Sequence, residues 1–383
     1  MMMKRWIATL LLLLMPCFAL AQENALTLTD AGVDLPGGSI HYPQMQGLDE
    51  EQIALVNQAL LEAGQISQRL ERATLLTSAP VKLNVSWQAD TQCLAGQVLS
   101  VVFTAEGAVT DSRSTHVYTT LNMDLVSGEN ITWADLFQDE EEARTGIASY
   151  LEDELAPELS AHLMNSELTP LPEDFSLDAS GMTLYYPISQ LATLSDRAGA
   201  VHLSWCELLP YLKTGDGTLL RRIGAEAMVT LSDASGIQQA VNSGSLPGIP
   251  AQLGDNMQEL VNTWGLLIDP DLYENGRLIS LDGAAFRTVY LMTDRLTETL
   301  DHSVVQGIRM DRGSLYGLCI GKTSQSEWRQ VLGEPDYTVA LNEEEADSQR
   351  LQSGESDYYR YDTHTLRLHA NEDGVLVSLM LLE

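Results

Sequence analysis

The chain has 383 residues, 44% of them hydrophobic and 20% charged. That is enough for two or three domains with sizeable cores, and too apolar for a disordered chain. Its 21 basic and 54 acidic side chains give a formal charge of -33. A field of that sign repels nucleic acid and anionic lipid and attracts cationic proteins or divalent metals, although solubility alone also accounts for it.

The chain starts with a basic pair, Lys4-Arg5, then an apolar run over 7–15 and the small-x-small triplet Ala19-Leu20-Ala21. This pattern predicts a secretory signal peptide over 1–21 and a secreted, extracytoplasmic protein. The run is too short for a membrane span, so no transmembrane segment is expected in the mature chain. Losing Lys4 and Arg5 would make the chain two charges more negative. Of four cysteines, Cys17 leaves with the leader, and Pro16 before it argues against lipid attachment. Cys93, Cys206 and Cys319 remain, an odd count that leaves at least one unpaired. Cys93 and Cys206 fall in the same module, so a disulfide between them is one expectation; buried apolar thiols are the other.

Residues 22–37 are polar, run into Pro36-Gly37-Gly38 and read as a loose lead-in. Ile40 and Tyr42 begin an edge-like strand stopped by Pro43. Asp49 caps a predicted helix reaching about residue 75, with Ile53, Val56, Leu60, Leu61, Ile66 and Leu70 on its inner stripe. Val81, Leu83, Val85 and Trp87 alternate as a strand, as do Leu99, Val101 and Phe103. Val117, Thr119, Leu121, Met123 and Leu125 alternate with polar neighbours in a third. Thr132 and Asp135 have capping-box spacing, and the main helix follows over 139–155, with Glu140, Glu141 and Glu142 in its first turn. Phe175 to Leu177 and Met182 to Tyr186 pair as strands around Gly181, and Val201 to Leu203 add another. Helices packed on twisted antiparallel sheets make the fold class α+β.

The run NMDLVSGENITWADLF, an acidic helix, and then FSLDASGMTLYYPISQLATL resemble a bacterial domain-of-unknown-function family. That family occurs in the ectodomain of the lysozyme-sensing anti-sigma factor RsiV and in the non-catalytic part of some polysaccharide deacetylases. The preceding IHYPQMQGLDEEQIALVNQALL, VKLNVSWQAD and VLSVVFTAEGAV fit the companion module of those proteins, so the resemblance covers about 38–213. Its motifs are apolar patterns and turns, which speak to fold more than to function. The resemblance implies an envelope or lysozyme-type partner.

Beyond residue 213, 214–217 is a turn and 219–231 is ambiguous, readable as a strand with Arg221 and Arg222 exposed. Ser, Gly and Pro recur over 232–250, so a linker is placed at 214–248 and a second α+β domain at 249–383. That domain carries a weak repeat: Gly254 to Gly265 resembles Gly321 to Gly333, each a short helix ended by glycine and followed by strands. The arrangement resembles the tandem repeats of β-lactamase-inhibitor-protein type, whose members are binding modules. The acidic stretch 343–355 reads as a polar, mobile loop.

No catalytic, cofactor-binding or metal-binding motif is present: no G-x-S-x-G, S-x-x-K, H-E-x-x-H, Walker or dinucleotide fingerprint. Asp269-Pro-Asp271 faintly resembles the start of a calcium loop, but no Gly-x5-Glu follows. His364 and His369, five apart on a strand, face opposite sides. Trp133, Trp205, Tyr185 and Tyr186 read as core aromatics rather than a carbohydrate platform, and the acids of 139–154 as a solvated helix face. The expected function is a secreted, non-enzymatic binding protein of the cell envelope. Its partner would be a cationic protein such as lysozyme, or a cell-wall glycan. The alternative is a cell-wall glycan enzyme with a site assembled from distant residues.

Overall fold

Alternation of apolar and polar side chains builds the first layer of the computed structural model. The structure describes residues 26–76, 81–109, 114–155, 163–166, 168–193, 199–249, 251–264, 271–273, 276–279, 289–293 and 300–383. The expected signal peptide and Asp269 lie outside them.

β1 (Thr27–Asp30) pairs antiparallel with β4 (Pro43–Gln46). A six-stranded sheet follows, in the order β2 (Val33–Leu35), β3 (Gly38–Ile40), β5 (Val81–Ala89), β6 (Val98–Val109), β7 (Ser114–Asp124) and β8 (Glu129–Asn130). β3 and β5 run parallel and the other pairs antiparallel. Val85, Val101, Phe103, Leu121 and Met123 bury their side chains beneath helices α1 (Glu50–Ala63) and α2 (Ile66–Leu75). The one helix expected here is two. Gln65 breaks it with a left-handed φ of 48°, and a Cβ on Gly64 would lie 2.8 Å from the Phe103 ring. The break lets the chain turn tightly against the sheet. Val117, assigned to the buried stripe, is 40% exposed.

The second layer holds α3 (Thr91–Ala95), α4 (Trp133–Leu136) and α5 (Glu140–Tyr150), which continues as a π-helical turn over Leu151–Leu155. The Thr132/Asp135 capping box forms, and Asp139 accepts from Glu142 N at 3.0 Å. β9 (Leu163–Ser166) pairs with β12 (Leu191–Thr193). β10 (Phe175–Leu177), β11 (Gly181–Tyr185) and β13 (Ala200–Ser204) form a three-stranded sheet that leads into α6 (Trp205–Leu208). Trp133, Phe137, Phe175, Leu184 and Trp205 fill this core, so the aromatics serve packing.

Residues 214–248 are not a linker. They fold as α7 (Leu219–Arg222), α8 (Glu226–Val229) and α9 (Ser235–Ser243). Leu220, Ile223 and Met228 enter the second core; Ile237, Ala240 and Val241 enter the third. Arg222 grips Asp124 with two bonds of 2.6 and 2.9 Å, which ties this segment back to the first sheet.

The last layer is an eight-stranded antiparallel sheet. Helix α10 (Met257–Trp264) precedes β14 (Asp271–Tyr273), β15 (Gly276–Ile279), β16 (Val289–Thr293) and β17 (Val305–Met310). After the small ribbon β18 (Ser314–Leu315) and β19 (Leu318–Cys319) comes α11 (Gln325–Leu332). Then follow β20 (Tyr337–Leu341), α12 (Glu343–Ser348), β21 (Gly354–Arg360), β22 (Thr365–Asn371) and β23 (Leu376–Leu382). The strand order 14-15-16-17-23-22-21-20 joins two helix-plus-four-strand halves at β17 and β23.

Each face of this sheet buries charge with its partners. On one face, Asp357 is 0% exposed and accepts from Arg329, Trp328 Nε1 (3.0 Å) and Thr338 Oγ1 (2.7 Å). Burial pushes the Asp357 carboxyl up, but the bonds from Arg329, Thr338 and Trp328 outweigh it and hold it below the usual range. On the other face, Arg309 donates to the carbonyls of Gln349 (2.8 Å) and Arg350 (2.6 Å), and Arg367 to the Gln349 side chain at 2.8 Å. His369, two residues along β22 from Arg367, has Nε2 on the Gln352 carbonyl at 2.7 Å and Nδ1 on Ser356 Oγ at 2.9 Å. The segment expected as a mobile loop is therefore a short helix and an anchored strap.

Burial, reinforced by the neighbouring Arg367 and Arg309, holds the His369 imidazole below its ordinary pKa. The unfolded chain takes up this proton near pH ~6.5 and the folded chain only at lower pH. Stability should therefore fall as pH drops below that value. Urea midpoints at pH 7 and pH 5 check this: the drop for the wild type should exceed that for His369→Gln.

Candidate functional site

The polar side chains that meet across the molecule converge where the second and third layers touch. Ser204 and Glu207 form a capping box at the start of α6. The box turns the Glu207 carboxylate back toward the chain, with Oε2 accepting from Ser204 N at 2.7 Å. Oε1 accepts from Tyr150 Oη at 2.5 Å and from Arg312 Nε at 2.8 Å and Nη2 at 2.6 Å. Tyr150 ends α5, and Arg312 stands in the turn after β17, so three distant segments meet on one oxygen. The guanidinium also lies 5.5 Å from the Tyr150 ring centroid, within cation–π reach. Burial raises the Glu207 carboxyl, but Arg312 and the hydrogen bonds from Tyr150 and Ser204 more than reverse this; the carboxyl is held low. The Arg312 guanidinium is correspondingly held high by Glu207 despite its own burial. The pair stays charged.

The adjacent residue completes the joint. Cys206 is disulfide-bonded to Cys319, 113 positions further along the chain, with Cα atoms 6.0 Å apart, and Lys322 Nζ donates to the Cys206 carbonyl at 2.5 Å. The expected Cys93–Cys206 pairing is thus corrected. Cys93 lies on α3, buried, with its thiol 3.5 Å from the Leu177 carbonyl, and burial pushes that thiol far up. It is an inert core group. Cys206 faces the β18–β19 ribbon instead, because α6 projects toward the last layer.

A cleft of about 440 Å³, counting space open to solvent, runs along this seam. Ser180, His202, Glu207, Gly248, Arg312 and Ser314 are among its lining residues. Ser180, His202 and the nearby Asp178 invite comparison with a hydrolytic triad, but the wiring differs. Ser180 Oγ donates to Asp178 Oδ1 at 2.5 Å, and Ser180 N and Gly181 N donate to the same oxygen at 2.6 and 3.0 Å. His202 Nε2 is 3.3 Å from Ser180 Oγ and Nδ1 is 3.1 Å from Thr183 Oγ1. With its proton directed to a carboxylate, Ser180 can only accept from the imidazole. A nucleophilic serine needs the reverse, donating to a histidine that a carboxylate orients. The Ser314 hydroxyl is buried in the wall without a hydrogen-bond partner among the described residues.

Other residues singled out in the sequence stay apart. Arg144 on the acidic helix pairs with Glu140 and Glu173 at 2.8 Å and covers the Trp133 ring at 4.2 Å. Among the described residues, no three His, Cys, Asp or Glu side chains converge to hold a metal, and no helix is long and apolar enough to cross a membrane. Glu207, Arg312, Ser180 and His202 escaped the sequence reading. Only Ser204-x-x-Glu207 carried a signal, its capping-box spacing.

No known family matches the chain, and no curated protein does. Solved structures similar to parts of it include a DUF3298 family member from Bacteroides fragilis, at 13% identity, covering 50% of this chain and 95% of that one, with a TM-score of 0.33. A DUF3298 family protein from Pseudomonas aeruginosa is 12% identical over 49% of this chain and 94% of that one, TM-score 0.34. A DUF4309 family protein from Bacillus subtilis is 9% identical over 40% and 97%, TM-score 0.27. These neighbours are bacterial proteins of domain-of-unknown-function families, and scores this low carry no argument about activity.

Removing Arg312 leaves the Glu207 carboxylate largely buried without its cation. Arg312→Met should cost about 3–5 kcal/mol in urea unfolding, and the double variant with Glu207→Gln should recover part of it.

Proposed function

We propose that this chain is an exported binding protein of the bacterial cell envelope that docks a cationic partner and performs no turnover. The observation that carries the reading is the closed wiring of the seam. Glu207, Arg312 and Tyr150 are committed to one another, with the Arg312–Glu207 bond crossing between layers, and Ser180 is committed to Asp178 in the adjoining turn. What such a body offers is surface, and that surface is strongly acidic. The Cys206–Cys319 bridge supports export, since structural disulfides persist in oxidising compartments. The resemblance of 38–213 to the RsiV ectodomain makes lysozyme the first partner to try.

The rival reading is a cell-wall glycan enzyme with a site assembled from distant residues. In its serine-based form, drawn from Asp178, Ser180 and His202, it requires a serine wired opposite to the one observed.

Calorimetry with hen lysozyme is the direct experiment. Saturable binding at micromolar concentration, weakening as salt rises, is expected. No heat at those concentrations removes lysozyme as the partner. Turnover of peptidoglycan that disappears in His202→Ala would replace the binding reading with the enzymatic one.

A further inference from the structure

One edge of the eight-stranded sheet is open. β20 pairs only with β21 among the described residues, so its outer backbone groups lack a strand partner there. Four of its five residues are exposed, and Tyr337 (39%) and Val339 (37%) are among the exposed large apolar side chains. Edges are ordinarily blocked by a lysine, a proline or a bulge within the strand. Tyr337–Leu341 reads YTVAL and holds an unbroken register from Tyr337↔Tyr358 to Leu341↔Gly354.

The edge is also preformed. Tyr337 stacks on Tyr358 at 4.4 Å, Arg360 lies 5.1 Å from the Tyr337 ring centroid, and Thr338 is tied to buried Asp357 at 2.7 Å. A strand already held in place costs little ordering entropy when another adds to it.

The charge around it selects what can add. Glu334 and Asp336 precede the strand, and Glu343, Glu344, Glu345 and Asp347 follow it, all exposed. No lysine or arginine occurs between Arg329 and Arg350. A second copy pairing edge to edge would set these acids against their own kind, in a chain of formal charge -33. We propose that the β20 edge is the seat for an extended segment of a basic polypeptide, which adds to the sheet as a further strand. This rests on the cationic-partner reading and names where and how the partner binds. Backbone pairing would give the affinity, Tyr337 and Val339 the apolar footing, and the acidic ends the selection by charge.

The test uses the full chain, a fluorescein-labelled peptide KVTVKVTK and its glutamate counterpart EVTVEVTE, with anisotropy as the readout. The lysine peptide should bind at least about ten-fold more tightly than the glutamate peptide, and Val339→Lys should weaken it by about ten-fold. Val117→Lys, an exposed site on the first sheet, should leave it unchanged. Amide exchange over 337–341 should slow when the peptide is bound, which loose electrostatic attraction would not produce. Equal binding by the wild type and Val339→Lys overturns the seat. So does a peptide that never binds while lysozyme binds both proteins alike; in that case the cationic-partner reading stands. A concentration-dependent dimer that Val339→Lys dissolves also overturns it, with a second copy as the occupant. Peptide binding at β20 without lysozyme binding keeps the seat and removes only lysozyme.

Discussion

The ion pair between Glu207 and Arg312 is the contact on which the arrangement of the layers depends. Withdrawing a carboxylate and a guanidinium from water costs several kcal/mol per ion, and only close geometry with every lone pair answered offsets that cost. Here the answer comes from both sides. The capping box supplies the Ser204 amide, α5 supplies the Tyr150 hydroxyl, and the turn after β17 supplies two guanidinium nitrogens. The bridge at the next residue, Cys206–Cys319, holds the same two elements by a covalent bond. A charge pair sets direction where an apolar contact would tolerate sliding, and the bridge limits how far the elements can part.

The same logic recurs inside the eight-stranded sheet. A register row crosses six strands as Tyr337, Tyr358, Arg367, Met380, Arg309 and Tyr290. Arg367 lies 5.4 Å from the Tyr358 ring centroid and Arg309 5.6 Å from that of Tyr290. Each guanidinium is also hydrogen-bonded to the strap over 349–352, so neither is buried alone. Such contacts are each worth about 0.5–1 kcal/mol at exposed sites and more when desolvated. Charge is placed to lock register and strap, which leaves rigid edges and acidic rims as the parts that can meet a partner.

Local patterns were legible in the sequence, and contacts between distant segments were not. Period-two alternation found β5, β6 and β7, capping-box spacing found α4, and helical spacing with acids in the first turn found α5, because these signals live within a few residues. The serines and glycines over 232–250 imitated a linker for a physical reason. A Cβ on Gly236 would lie 2.4 Å from the Tyr316 ring, and one on Gly248 would lie 2.2 Å from Ser180 Oγ. Gly244 closes α9 in the left-handed region, at φ 70°. These glycines permit close approach, and composition alone reads close approach as flexibility. The Cys206–Cys319 bridge was missed because α6, four residues long, decides where its cysteine points. Arg312 stands 105 residues from Glu207, and nothing local marks either as the other's partner.

Scanning calorimetry of the intact, oxidised chain tests the central claim, that the seam makes one body of the layers. A single cooperative transition is expected, separating into two when Cys206 and Cys319 are reduced and Arg312→Met is introduced together. Two independent transitions in the intact chain, unmoved by either change, would contradict it.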